Sequence, residues 1–187
     1  MKKLIFALIA GVTAMGAAQA ETPSGYVGLG VATSDHRFDV GTGNSSDPAG
    51  YKANAKIFGG VNLSPTWAVE AGYTDIRKAD HDFTVAGVPG TATTDGSRSY
   101  IAGKATKAVT DKFDVYGKLG VGYSKVKVSS ATFGSDSDSK TEAYGALGAQ
   151  YNINEKVALT AEYERYGKKK DFGAKADAFT VGAKYNF

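Results

Sequence analysis

Alternation with a period of two residues constrains this chain more than any other feature, and it is clearest at the C-terminus. Phe179, Val181, Ala183, Tyr185 and Phe187 occupy one phase, and Thr180, Gly182, Lys184 and Asn186 occupy the other. Successive side chains of a strand point to opposite faces, so this stretch is a strand with one apolar and one polar face. The sequence ends on the apolar phase, at Phe187. Such an end suits a strand whose apolar face meets lipid and poorly suits one that meets water.

The same template finds eight segments, at roughly 24–35, 50–62, 67–77, 98–107, 113–128, 141–151, 157–167 and 176–187. In the second, Tyr51, Ala53, Ala55, Ile57, Gly59 and Val61 oppose Lys52, Asn54, Lys56, Phe58 and Gly60. In the fifth, Phe113, Val115, Gly117, Leu119, Val121 and Tyr123 oppose Asp114, Tyr116, Lys118, Gly120 and Gly122. Segment 98–107 fits least well, because Tyr100 falls on the polar phase. Helix is a poor rival, since the segments are rich in Gly and β-branched residues and lack an apolar stripe of period 3.6.

The connections alternate in length. Those at 36–49, 78–97, 129–140 and 168–175 are long and polar, while Ser64-Pro65-Thr66, 108–112 and 152–156 are short. Long external loops and short periplasmic turns on an even number of strands are the arrangement of outer-membrane barrels. On the apolar phase, Tyr51, Tyr73, Tyr123 and Tyr163 fall toward one end, and Trp67, Phe113, Tyr151, Tyr185 and Phe187 toward the other. Two aromatic belts around a Val, Leu, Ile and Ala band match a bilayer. A soluble ligand-binding barrel would turn its apolar face inward. The expected fold is therefore an all-β, eight-stranded antiparallel up-and-down transmembrane β-barrel.

The N-terminus agrees with export. Lys2 and Lys3 precede a short apolar stretch, Leu4 to Ala10, and Ala18-Gln19-Ala20 has the small-residue pattern of a cleavage site. Residues 1–20 read as a cleaved signal peptide and 21–187 as one barrel domain. The formal charge of +3 falls to +1 once Lys2 and Lys3 are set aside, which gives nucleic-acid binding no support. The chain has no Cys, so disulfide and thiol chemistry are excluded.

Taken with the turn Ser64-Pro65-Thr66-Trp67 and the ending Val181 to Phe187, this organisation resembles the OmpA-like barrels of Gram-negative bacteria, in particular the small, barrel-only surface antigens. The resemblance spans 21–187 and implies an integral outer-membrane protein with a structural and surface-interaction role, adhesion or envelope integrity. It implies contact with lipopolysaccharide and membrane lipid, and with a host protein or phage. It also implies recognition by the barrel assembly machinery through the last strand, Tyr185 and Phe187 above all. A narrow pore or small-solute transporter is the alternative, and a lipid A-modifying enzyme a lesser one. The expectation is of no enzymatic activity and no cofactor.

Two groups of residues could carry function. On the inward phase lie Lys56, Glu70, Arg98, Lys104, Asp114, Lys118, Glu162 and Glu164, with balanced signs. An eight-stranded bore is only wide enough for side chains, so these are expected to pair as a polar plug. Glu70 is expected to face Lys56 and Lys104 on the neighbouring strands, and Glu162 to cross the bore to a lysine. In the long connections, Arg37, Phe38, His81 and Phe83 are candidate partner contacts. His36 and His81 have carboxylates nearby, yet neither has a second ligand at fixed spacing, so solvated histidines are expected rather than metal ligands. Gly117-Lys118-Leu119-Gly120 lacks phosphate-loop spacing. The basic run Lys168-Lys169-Lys170 and the acidic run Ser135 to Ser139 are surface features.

Overall fold

The computed structural model describes residues 24–38, 52–85, 88–130, 134–167 and 172–187. The expected signal segment 1–20, Tyr51 and Lys168 to Lys170 lie outside the described residues. Eight strands run β1 (Gly25–Phe38), β2 (Lys52–Asn62), β3 (Trp67–Val85), β4 (Val88–Ala108), β5 (Phe113–Ser130), β6 (Gly134–Asn152), β7 (Val157–Tyr166) and β8 (Phe172–Asn186). Each pairs antiparallel with its neighbours in sequence, and β8 returns to β1, so the sheet closes as a barrel.

Three short turns share one chemistry. Ser64 Oγ accepts from the backbone N–H of Trp67 at 3.0 Å, Thr110 Oγ1 from that of Phe113 at 3.1 Å, and Asn154 Oδ1 from that of Val157 at 2.8 Å. A side-chain oxygen that caps the amide three residues on replaces one backbone turn contact, which is why Ser, Thr and Asn stand there. The seam between the termini closes at the same end, where Phe187 N–H donates to Gly25 O at 2.9 Å.

The outer wall is apolar. Leu29, Ile101, Leu119, Leu147, Leu159 and Val181 are exposed on it. Trp67, Phe113, Tyr151, Tyr185 and Phe187 are exposed near the short turns, and Tyr123 and Tyr163 near the opposite end. Large aromatics also fill the inside: Tyr26, Phe58, Tyr100, Tyr116, Tyr144 and Tyr166 are buried. Tyr100, whose place on the polar phase weakened the pattern of its segment, is thus an interior residue with a polar tip. Each ring needs room across the ladder, and glycine supplies it. Tyr100 is registered opposite Gly72 and Tyr116 opposite Gly148. A Cβ at Gly72 would lie 2.4 Å from the Tyr100 ring, and one at Gly148 2.5 Å from the Tyr116 ring.

The strand lengths correct the expected loops. Segment 78–97 is not a long loop: β3 and β4 stay paired from Ala79↔Thr94 to Val85↔Val88, after a register shift between Ile76 and Ala79. Segment 129–140 is likewise mostly strand, with Ser130 opposite Gly134, and β1 continues through His36, Arg37 and Phe38. The missed residues are Thr, Ser, Asp and Val in mixed order. Beyond the bilayer both faces meet water, so hydrophobic alternation vanishes while β-propensity persists. As a result β3 to β6 hold 18 to 21 residues each, whereas β2 and β7 hold 11 and 10. A tilted span needs about 9–11 residues, so one side of the barrel rises beyond the bilayer by on the order of 20 Å.

Candidate functional site

The bore is packed with charge. Seven of the eight sequence-predicted lumen residues, Lys56, Glu70, Arg98, Lys104, Lys118, Glu162 and Glu164, are buried to between 1% and 5% relative exposure. Inward-phase positions of adjacent strands bring them to one axis, so carboxylates and ammoniums distant in sequence meet across the bore.

Glu70 on β3 is a hub. Its carboxylate accepts from Lys118 Nζ at 2.6 Å, from Tyr26 Oη at 2.8 Å and from the Tyr100 hydroxyl, with Lys104 Nζ at 3.8 Å. Glu164 on β7 is a second hub, accepting from Lys56 Nζ at 2.7 Å, from the hydroxyls of Tyr144 and Tyr166 at 3.0 Å each, and from the Thr180 hydroxyl. Glu162 joins the two, with Lys56 at 2.9 Å on one oxygen and Lys118 on the other. A buried charge is tolerated where opposite charge and hydrogen bonds satisfy it, and here Lys56 and Lys118 each hold two carboxylates.

The pairing differs from the expected one in a way the register explains. Lys56 is opposite Thr74, while Glu70 is opposite Gly60, so the two stand at different heights on neighbouring strands. Lys56 therefore reaches across the bore to Glu162 and Glu164. Asp114 sits apart at the short-turn end, half-buried, and accepts from the side-chain amides of Gln150 and Asn152 at 3.0 and 2.9 Å. Arg98 lies toward the other end, its guanidinium 4.9 Å from the Tyr166 ring centroid.

The sequence reading omitted part of this interior. Lys184, on the inward phase of β8, is a further buried ammonium. The tyrosines Tyr26, Tyr100, Tyr144 and Tyr166 supply hydroxyl donors to the hubs, and Tyr100 stacks on Tyr144 with ring centroids 4.2 Å apart. Their inward phase was the available signal. Tyrosine between a charged centre and an aromatic neighbour satisfies both.

The tall side of the barrel forms the second candidate. Lys125 and Lys127 on β5 are exposed on the outer face, continuing the phase of Tyr123. Lys125 is opposite Ser97 and Ser139, and Lys127 opposite Asp95 and Ser137. Lys140 pairs with Asp138 at 3.4 Å, both exposed. The candidate contacts are not gathered into one place. Arg37 and Phe38 are opposite Gly173 and Phe172 on β8, and His81 and Phe83 opposite Ala92 and Gly90 on β4. Their side chains lie outside the described part of the structure. Among the described residues, no group of three or more His, Cys, Asp and Glu side chains is placed to hold a metal ion.

Comparison with known proteins agrees with this architecture. Residues 4–187 match the family model for the outer membrane protein beta-barrel domain, and the chain belongs to that family. It is 34% identical over 124 residues to the attachment invasion locus protein of Yersinia pseudotuberculosis, a match covering 65% of this chain and 64% of that relative. The chain thus spans somewhat less than two thirds of that relative's length. The crystal structure of Ail of Yersinia pestis, in complex with the heparin analogue sucrose octasulfate, superposes with a TM-score of 0.58 at 21% identity, covering 88% of this chain and 99% of that one. Neisserial surface protein A superposes with a TM-score of 0.53 at 15% identity over 87% and 97% of the two chains. The protein resides in the bacterial outer membrane. Barrels of this kind have short periplasmic turns and longer extracellular connections, which puts the short turns and the seam at the periplasmic end and the tall strands outside.

Proposed function

We propose that this outer-membrane barrel is an attachment protein whose working surface is the extracellular sheet formed by the upper halves of β3 to β6. The single observation that supports this reading is the continuous ladder pairing above the bilayer. β4 and β5 remain in register as far as Ala92↔Ser130, so side chains there are displayed on a sheet and not on loose loops. Rigid display lowers the ordering cost of binding, which favours recognition of another surface. The name of the Yersinia pseudotuberculosis relative points the same way. Lys125 and Lys127 suit an anionic partner, and Arg37, Phe38, His81 and Phe83 are the further contacts assigned to a host protein or phage. Lipopolysaccharide beside the wall and the assembly machinery at Tyr185 and Phe187 complete the partners. No catalytic role is assigned to any residue.

The test is a shortening of both tall hairpins, at 79–94 and 127–138, in bacteria that display the protein. Attachment to host cells is expected to fall to the level of cells lacking the protein, while heat-modifiable gel mobility persists. Unchanged attachment, together with altered permeability in Glu70→Ala, would replace this reading with the narrow-pore alternative. Loss of a lipid A modification in His36→Ala or His81→Ala would replace it with the enzyme.

A further inference from the structure

The periplasmic end of the bore opens into a polar chamber of about 590 Å³, lined in part by Asn62, Lys104, Asp114, Gln150 and Lys184. The room exists because alanines stand on the inward phase at this level. Ala68 is registered beside Asn62 and Lys104, and Ala158 beside Asn152 and Lys184.

Two residues in the lining of this chamber carry a buried group that lacks a counterpart. Lys184 is 6% exposed, and its ammonium lies 4.8 Å from the Tyr26 ring centroid. Lys56, Lys104 and Lys118 each have a carboxylate within ion-pair reach, and among the described residues Lys184 has none. Gln150 is also 6% exposed; its Nε2 donates to Asp114 Oδ2 at 3.0 Å and to Asn152 Oδ1 at 2.7 Å. Its Oε1 is left buried with no donor. A ring stabilises an ammonium but accepts little from its three N–H groups, so Lys184 retains donors. Lys104 does as well. It is 3.8 Å from Glu70, the longest of the lumen ion pairs, and rests 4.0 Å from the Tyr116 ring centroid.

Buried donors and acceptors left unmade are costly, so the arrangement selects what completes it. The complement must accept from two ammoniums and donate to a carboxylate, Asp114, in the same lining. We propose that the chamber binds a protonated oxyanion of the hydrogen-phosphate type, free or as a phosphate monoester, from the periplasmic side. Its charged oxygens accept from Lys184 and Lys104, and its P–OH donates to the half-buried Asp114 carboxylate, which lines the same chamber. Sulfate has the same size and charge range but no proton, and it would set a lone pair against the Asp114 carboxylate. This site is at the opposite end from the attachment surface and stands or falls without it.

The experiment uses the isotope-labelled barrel refolded in lipid nanodiscs. Inorganic phosphate, glycerol phosphate and sulfate are titrated separately at constant ionic strength, and the amide shifts of Gln150 and Lys184 are followed. Saturable shifts are expected with one or both phosphates, the one that saturates identifying the source, and none with sulfate. Lys184→Gln should weaken the binding by about tenfold or more, as loss of a charge-assisted hydrogen bond does, while Lys184→Arg and, at an exposed lysine outside the chamber, Lys107→Gln retain it. Shifts that never saturate, equal binding of sulfate, or a Lys184→Gln protein that binds as before would each overturn the proposal. If Lys184→Gln loses heat-modifiable mobility, the phosphate-against-sulfate comparison in wild type and Lys184→Arg decides it.

Discussion

The bore and the tall extracellular sheet are built from the same strands and obey opposite rules. Inside the bilayer span, β3 and β5 contribute Glu70 and Lys118, each almost wholly buried and tied to more than one partner. About eight residues further along, β5 carries Lys125 and Lys127, which are exposed. The ladder is continuous between the two regions, through Lys118↔Ala146 to Lys127↔Ser137. What changes is the medium. In the closed part of the bore, away from the periplasmic chamber, polar groups depend on protein partners, so side chains specify one another; above it water serves any of them, and the sheet is free to vary its surface.

The sharpest way to break this contrast is at a hub. Glu70→Ala is expected to destabilise the barrel by about 3–5 kcal/mol, since two hydroxyls and a lysine lose their acceptor in a site water does not reach. Urea unfolding in lipid vesicles measures it, and a loss near zero would mean the bore is wet. A purely steric change in the same region should cost less. Gly72→Val drives a branched side chain into the Tyr100 ring, 2.4 Å from a Cβ placed there, and the expected loss is about 1–3 kcal/mol.

The closing seam separates folding from stability. Phe187 is 60% exposed on the lipid side and meets Tyr185 edge-on at 5.7 Å. Its deletion should remove about 1–2 kcal/mol in refolded protein, because part of the ring already faces apolar surroundings. In cells it should lower the amount reaching the outer membrane several-fold, which quantitative blotting of membrane fractions resolves. Equal membrane levels would argue against recognition of the last strand. The smallest effect belongs to the tall sheet: Lys125→Gln with Lys127→Gln should change stability by less than about 0.5 kcal/mol while reducing attachment. A large stability loss there would erase the distinction between the two regions.

The lower barrel was legible in the chain because lipid and lumen impose opposite polarity on alternate residues. Segments 113–128 and 157–167 show this, and β5 (Phe113–Ser130) and β7 (Val157–Tyr166) begin where the pattern does. The extracellular halves of β3 and β4 were not legible, since Thr93, Asp95, Gly96 and Ser97 are polar or small on both phases and leave no hydrophobic alternation to read. The inward tyrosines were half-legible. Tyr116 was on the inward phase of a clean segment, whereas Tyr100 looked like an error in the pattern until its hydroxyl was seen on Glu70.

By itself the sequence determined the architecture, the lipid-facing residues, the parity that sends short turns one way and long connections the other, and most of the charges that share the bore. Those follow from local rules: strand periodicity, turn chemistry and the thickness of a bilayer. Only closure of the barrel decided which charges meet. Lys56 and Glu164 are separated by 108 residues along the chain and by 2.7 Å across the bore. Whether a given lysine ends beside a carboxylate, as Lys56 does, or beside a ring and a polar chamber, as Lys184 does, depends on the stagger of all eight strands around the axis. No segment of sequence contains that stagger, because it is a property of the closed ring of strands.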